Sequence, residues 1–136
     1  MSDGFNAPIM ETLVTVHSLY RWFVLAVVVA TVVVGWRRYR AETPWGEGSD
    51  RPYALAAVLF DLQVALGIIL YLGKQAWTHN LFIAAIHPVG ALIAVALFHI
   101  GVSRARKQAS VASHRTVAIF ALLALLLLVM AIPWAR

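Results

Sequence analysis

Seven polar side chains lie within or at the edge of long apolar segments, and they are the residues with which this chain could do chemistry. They are His17, Arg21, Asp61, Gln63, His87, His99 and His114. Ionisable side chains are costly in hydrocarbon, so they usually face a partner or a functional site. Imidazoles bind transition metals and haem iron, and a guanidinium binds anions. A site therefore requires that at least two of these residues meet at one depth.

Two of the histidines are predicted to lie at similar depths. His17 precedes Arg38 by 21 residues and His87 precedes Arg104 by 17 residues. These separations correspond to about 32 Å and about 26 Å of helix above the two basic segments. The helices that contain His17 and His87 would run in the same direction, and they can be diagonal partners in a four-helix bundle. Two neutral imidazoles that face each other at one level are the arrangement that a bis-histidine haem b requires.

Small residues and a cation accompany this histidine pair. Gly90 and Ala91 follow His87 by three and four residues, so they share its helical face and leave space for a porphyrin. Arg21 lies one turn after the first histidine, on the same face. A buried guanidinium needs an anion, which could be a haem propionate or the carboxylate of Asp61.

Other combinations of these residues fit less well. His99 and His114 are a second candidate pair for a metal, but their depths differ by about 6–8 Å. Asp61, Gln63 and His99 could line a proton or solute conduit, although they leave several turns without a polar residue. The histidines could also be packing or lipid contacts, with Arg21 paired to Asp61. The chain would then be a cofactor-free subunit of a larger respiratory or photosynthetic membrane complex.

Four long apolar segments must position these residues. The chain has 136 residues, of which 62% are hydrophobic and 12% charged. Soluble domains carry about twice that charged fraction, so a lipid bilayer is the predicted environment. Each spanning helix needs about 20 apolar residues, so four spans occupy residues 1–136 as a single domain. The predicted spans are 9–36, 52–72, 80–102 and 114–134, with Ser113 as the N-cap of the fourth. Short loops predict an all-α, up-and-down four-helix transmembrane bundle.

The distribution of charge predicts the orientation of this bundle. Eight of the eleven Lys and Arg residues lie in or beside the loops that follow the first and third segments. These loops are therefore predicted to be cytoplasmic, with both termini outside. Because the basic residues lie mostly in these loops, the basic composition does not predict nucleic-acid binding. The start, Met1 to Asn6, lacks a positive n-region, so no signal peptide is expected.

Composition also excludes several classes of chemistry. The chain has no cysteine, which removes disulfides, iron–sulfur clusters and thiolate-ligated haem. Four spans leave no space for a separate catalytic or nucleotide-binding domain. We therefore expect an electron carrier or a complex subunit rather than a stand-alone enzyme.

Several short motifs carry a resemblance to a known family. They are the run from His17 to Trp22, Gln63 followed by Leu66-Gly67 and Tyr71, His87 early in the third segment, His114 with Ala118-Ile119, and the closing Ala131-Ile132-Pro133-Trp134. Together these motifs resemble small bacterial four-helix membrane proteins labelled cytochrome b-like. The chain departs from that pattern at Asp61, where the family is expected to have a histidine. The resemblance therefore assigns no ligand to the second helix.

The resemblance implies a b-type haem protein of membrane electron transfer, located in the bacterial inner membrane. Together with the residue analysis, it leads to the hypothesis that His17 and His87 bind the iron of haem b and that Arg21 faces a propionate. Electrons would pass between a quinol or a membrane partner and an acceptor on the outer, periplasmic face. A quinone is a further candidate cofactor.

Overall fold

The computed structural model describes residues 3–134, and their side chains from Ala7 onward. Four α-helices make up most of this range: α1 (Asp3–Arg40), α2 (Arg51–Gly73), α3 (His87–Gln108) and α4 (Val111–Ala131). A short 3-10 turn (Ala76–Thr78) and a π-helical turn (Phe82–Ile86) connect α2 to α3. The described part of the chain contains no β-strand. The predicted all-α, four-helix fold is therefore confirmed.

All four helices are long and apolar enough to cross a membrane, which makes this a multi-pass membrane protein that lies in a lipid bilayer. The candidate spans are Ala7–Arg40, Arg51–Gly73, Phe82–Gln108 and Val111–Ala131. The third span includes the π-helical turn, so this irregular segment belongs to a candidate span rather than to a loop. A side chain that follows such a turn is rotated relative to its position in a regular α-helix.

The helices are neighbours in the order α1, α2, α3, α4, and α4 closes the square against α1. α1 and α3 are therefore diagonal partners. The closest packing is that of α4 against α3 and α1, whereas α2 packs more loosely. Small residues allow these close approaches. A Cβ on Gly35 of α1 would lie 2.8 Å from the carbonyl oxygen of His114, and a Cβ on Gly101 of α3 would overlap the Cβ of Phe120.

The start of α4 differs from its sequence prediction. The N-cap is Ser110 rather than Ser113, which lies one turn further on at the third helical position. Ser113 Oγ accepts a hydrogen bond from the Ser110 N–H at 3.0 Å and donates one to the Ala105 carbonyl at 2.7 Å. Both serines thus satisfy backbone groups at the tight turn between α3 and α4, and the sequence gives no reason to prefer one of them.

The two basic loops lie at one end of the bundle, which we call the basic end. There, Arg106 of α3 donates a hydrogen bond to Asp50 at 2.7 Å, and Arg115 of α4 donates one to the Tyr39 hydroxyl at 3.1 Å. The hydrogen bond and charge of Arg106 hold the pKa of the Asp50 carboxyl below its ordinary value. The opposite end, where α1 and α3 begin, is called the histidine end.

Candidate functional site

The structure brings His17 and His87 together at the histidine end. Their imidazole centroids are 6.2 Å apart and the ring planes are inclined by 78°. No direct hydrogen bond joins the two side chains, both of which belong to the described residues. A metal–imidazole nitrogen bond is about 2 Å long, so two imidazoles on opposite sides of one metal ion have centroids about 6 Å apart. The observed separation is close to this value.

The orientation of His87 is set by a backbone carbonyl. The π-helical turn ends immediately before His87, and Pro88 follows it in the first turn of α3. His87 Nδ1 lies 2.8 Å from the carbonyl oxygen of Ala131 in α4. Because a carbonyl oxygen only accepts, Nδ1 carries the proton, and a neutral ring then has its lone pair on Nε2. This is the tautomer in which histidine binds a metal through Nε2.

His17 is positioned by two residues of α2 that lie one turn apart. Gln63 Nε2 donates a hydrogen bond to the backbone carbonyl of His17 at 2.9 Å. A Cβ on Gly67 would lie 3.3 Å from His17 Cε1, so the glycine leaves space for the imidazole. His17 Nδ1 and Gln63 Oε1 are both buried without a hydrogen-bond partner. His17 Nδ1 can donate a hydrogen bond, whereas Gln63 Oε1 only accepts one.

A largely apolar cavity of about 700 Å³ contains both histidines. Val24, Phe60 and Leu128 line it toward the centre of the bundle, whereas Lys74 and His79 line it at the histidine end. Ligand and cofactor sites typically measure about 300–1,000 Å³ and combine apolar walls with a few polar groups. The cavity has the volume and the lining of such a site.

The two small residues that were predicted to border a cofactor lie in different places. Ala91 lines the cavity. Gly90 is buried, and a Cβ there would lie 2.6 Å from the Cβ of Ala131. Gly90 therefore allows α3 to approach α4 rather than providing space for a ligand. Adjacent residues on a helix point about 100° apart, so Ala91 can face the cavity while Gly90 faces α4.

Arg21 lines the same cavity and has no carboxylate partner among the described side chains. Its Nε is buried without a hydrogen-bond partner. The guanidinium carbon lies 5.0 Å from the ring centroid of Trp22 and 5.7 Å from that of Trp134. These aromatic faces stabilise the cation but do not satisfy its hydrogen-bond donors.

Asp61, the alternative partner of Arg21, instead pairs with His99 of α3. His99 Nε2 lies 2.7 Å from Asp61 Oδ1. Residues two positions apart on a helix point about 200° apart, so Asp61 and Gln63 face different sides of α2, and only Gln63 lines the cavity. A carboxylate at the centre of a spanning helix costs about 2.5–3.5 kcal/mol. The pair with His99 reduces this cost.

His114, the other member of the second candidate pair, lies in a separate cluster near the basic end. It is fully buried, and its Nδ1 is 2.8 Å from the hydroxyl of Tyr53. The ring of Trp45 lies 5.2 Å from the imidazole and stacks on Tyr53 at 6.2 Å. His99 and His114 thus have different partners and the structure does not bring them together. The sequence signal for this cluster is a pair of aromatic residues, Trp45 in the loop before α2 and Tyr53 in the first turn of α2.

No group of three or more His, Asp or Glu side chains that could hold a metal ion is present in the part of the chain that the structure describes. The histidine pair in the cavity is a two-ligand arrangement, which suits a metal whose other ligands come from a cofactor. Comparison of the chain with protein-family models, curated proteins and solved structures found no match.

Proposed function

We propose that this protein is an integral membrane b-type haem protein that transfers electrons, and that His17 and His87 would hold the haem iron. The observation that carries the proposal is the pair of imidazoles, 6.2 Å apart, in one cavity of about 700 Å³. A bound haem would supply one-electron redox chemistry. The chain itself would supply the two ligands, an apolar enclosure and a cation.

The hydrogen bonds of the two histidines support this assignment. Histidines that bind a metal usually donate their second N–H to a carbonyl or another acceptor, which fixes the ring. His87 already has such an acceptor in the carbonyl of Ala131. Gln63 Oε1 is the buried acceptor available to His17 Nδ1. Both rings would then present Nε2 to the same iron.

The charge of the cavity supports a cofactor that carries acidic groups. Arg21 lines the cavity without a carboxylate partner among the described side chains, whereas Lys74, at the outer part of the cavity, is paired with Glu11 at 3.1 Å. Haem propionates are the anions that Arg21 would bind. We place the histidine end on the outer face of a bacterial inner membrane, where a membrane or periplasmic partner would accept the electron. A quinol or another membrane partner is the proposed donor.

A cofactor-free subunit of a larger membrane complex is the second candidate function. The observation that favours it is the Asp61–His99 pair, because its exposed polar groups call for a protein neighbour. Under this alternative, the cavity would hold lipid rather than haem. The two candidates differ in whether the purified protein absorbs visible light.

The test is the reduced-minus-oxidised visible spectrum of the purified protein, compared among single histidine variants. We expect a sharp α band of low-spin haem for the unaltered protein. His17→Leu and His87→Leu should each abolish that band or convert the haem to a five-coordinate, high-spin form. His99→Leu is the matched control, because this histidine lies outside the cavity, and His114→Leu is a second control at the basic end. Both should retain the band.

The outcomes separate the alternatives clearly. Absence of haem from every variant, including the unaltered protein, supports the cofactor-free subunit. Loss of half the haem in His99→Leu or His114→Leu would indicate a second haem. An unchanged low-spin band in His17→Leu or His87→Leu would show that these residues are not the ligands.

A further inference from the structure

One ionisable pair outside the cavity is exposed on the membrane-spanning surface of the bundle. His99 and Asp61 are 2.7 Å apart, and 49% and 47% of their side chains are exposed. Asp61 follows Arg51 by ten residues and precedes Gly73 by twelve. It therefore lies about 15–18 Å from either end of α2, at a depth where hydrocarbon offers no hydrogen bonds.

The surface around this pair is apolar and contains small residues. Val58, Leu62 and Ala65 of α2 are exposed within one turn of Asp61, and Ala96 and Ile100 of α3 are exposed within one turn of His99. The pair does not line the cavity at the histidine end, nor does it line a groove between α3 and α4 at the basic end, to which Arg104 and Arg115 contribute. The alanines permit close approach of another helix, so the surface suits a second protein.

The hydrogen-bonding groups that remain on the pair make it complementary to itself. Hydrocarbon favours the form of the Asp61–His99 pair that has no net charge. In that form one proton lies between His99 Nε2 and Asp61 Oδ1, and a second proton is on His99 Nδ1. His99 Nδ1–H is then a free donor and Asp61 Oδ2 a free acceptor. About a two-fold axis, the donor of each copy meets the acceptor of the other.

We propose that the α2–α3 surface around Asp61 and His99 is a two-fold interface with a second copy of this chain in the membrane. Two hydrogen bonds between the copies satisfy the remaining polar atoms, and the exposed apolar residues beside them pack across the axis. The interface does not depend on haem. The proposal therefore stands or fails separately from the proposed function.

Crosslinking of single-cysteine variants in lipid vesicles tests the position of the interface. The chain has no cysteine, so Ala96→Cys and Ala65→Cys each introduce a single thiol near the pair. Leu122→Cys is the matched control, because Leu122 is exposed on α4, which lies diagonally opposite α2. With a short bis-maleimide at low protein density, we expect crosslinked dimer from Ala96→Cys or Ala65→Cys and none from Leu122→Cys.

Removal of the pair tests its chemistry. Each hydrogen bond in a membrane contributes about 0.6–2 kcal/mol, and 1.4 kcal/mol corresponds to a factor of ten in the dissociation constant. Because Asp61→Leu/His99→Leu removes two such bonds, it should weaken dimerisation by about tenfold or more. Asp50→Asn/Arg106→Gln removes an acid–base contact of the same length, 2.7 Å, at the basic end, and should leave dimerisation unchanged. The helical circular dichroism of each variant verifies that it is folded.

Three results would overturn the proposal. The first is equal crosslinking of Leu122→Cys and the interface variants. The second is a monomer at all protein-to-lipid ratios. The third is isolation of this chain in native nanodiscs as a single copy, together with a stoichiometric amount of a different membrane protein. A crosslinked dimer whose visible spectrum shows no haem would contradict only the proposed function.

Discussion

Buried polar atoms without a hydrogen-bond partner concentrate around the cavity. Among the described side chains there are four such atoms, and three of them belong to His17, Arg21 and Gln63. Each unsatisfied buried group costs about 1–3 kcal/mol. Three such atoms at one site make the cavity the place where a bound group or water would gain the most hydrogen bonds.

Arg21 allows a prediction at the residue scale. If its guanidinium faces a haem propionate, the positive charge stabilises the reduced and more negative form of the cofactor. Arg21→Leu should therefore lower the midpoint potential, by an amount on the order of 10–60 mV, since 59 mV corresponds to a tenfold change for one electron. A potentiometric titration of the α band measures this shift.

Two further variants make the Arg21 experiment specific. Arg21→Lys keeps the charge and should keep most of the potential. Arg21→Leu combined with Asp61→Asn should behave as the sum of the two single changes, because Asp61 is bonded to His99 instead. A potential that does not move in Arg21→Leu would place the guanidinium away from any cofactor.

At the scale of the elements, α4 is the helix against which α1 and α3 pack most closely. Half of its buried residues are alanines, and glycines of the neighbouring helices lie opposite it. Without a hydrophobic driving force between helices in lipid, such close contacts supply much of the association energy. α2 packs more loosely, which leaves space for the cavity on its side of the bundle.

A glycine of α3 allows this packing to be tested. A Cβ on Gly101 would overlap the Cβ of Phe120 and lie 2.9 Å from its Cγ, so one of the helices must shift. Overpacking of this kind costs about 1–3 kcal/mol. Gly101→Ala should therefore lower the thermal unfolding temperature in detergent.

The control for this measurement is Gly46→Ala in the loop after α1. A Cβ at Gly46 meets nothing within 4 Å, and its φ is not positive. The control should unfold at the same temperature as the unaltered protein. Equal unfolding temperatures for Gly101→Ala and Gly46→Ala would contradict the account of the α3–α4 contact.

At the scale of the whole molecule, the two ends of the bundle differ in charge. Most of the Lys and Arg residues lie at the basic end, whereas the histidine end holds the cavity and its two imidazoles. In a membrane this asymmetry predicts that the basic end is cytoplasmic. A cofactor held by His17 and His87 would then exchange electrons on the outer side.

Reporter fusions test this orientation. A reporter joined after Arg136 should be active outside the cytoplasm, and the same reporter inserted at Gly46 should be active inside. The physical reason is that short loops rich in Lys and Arg are retained in the cytoplasm during insertion. A cytoplasmic signal from the fusion after Arg136 would invert the orientation and place the histidine end on the inner side.

The sequence by itself determined the architecture, because length, hydropathy and helical rise are local properties of each segment. Four apolar segments of spanning length and short loops were sufficient to predict the four-helix bundle. The depths of His17 and His87 followed from their distances to the basic residues, and the structure places their rings 6.2 Å apart. Depth along a helix depends only on the residue count.

Only the tertiary structure decided which way each helical face points. It paired Asp61 with His99, directed Gly90 toward α4 rather than the cavity, and placed His114 against Tyr53. It also joined Gln63 of α2 to the backbone of His17. A span that is apolar on all sides carries little information about its rotation, since lipid and protein neighbours are equally apolar. Helix packing fixes that rotation, and it involves residues far apart in the chain.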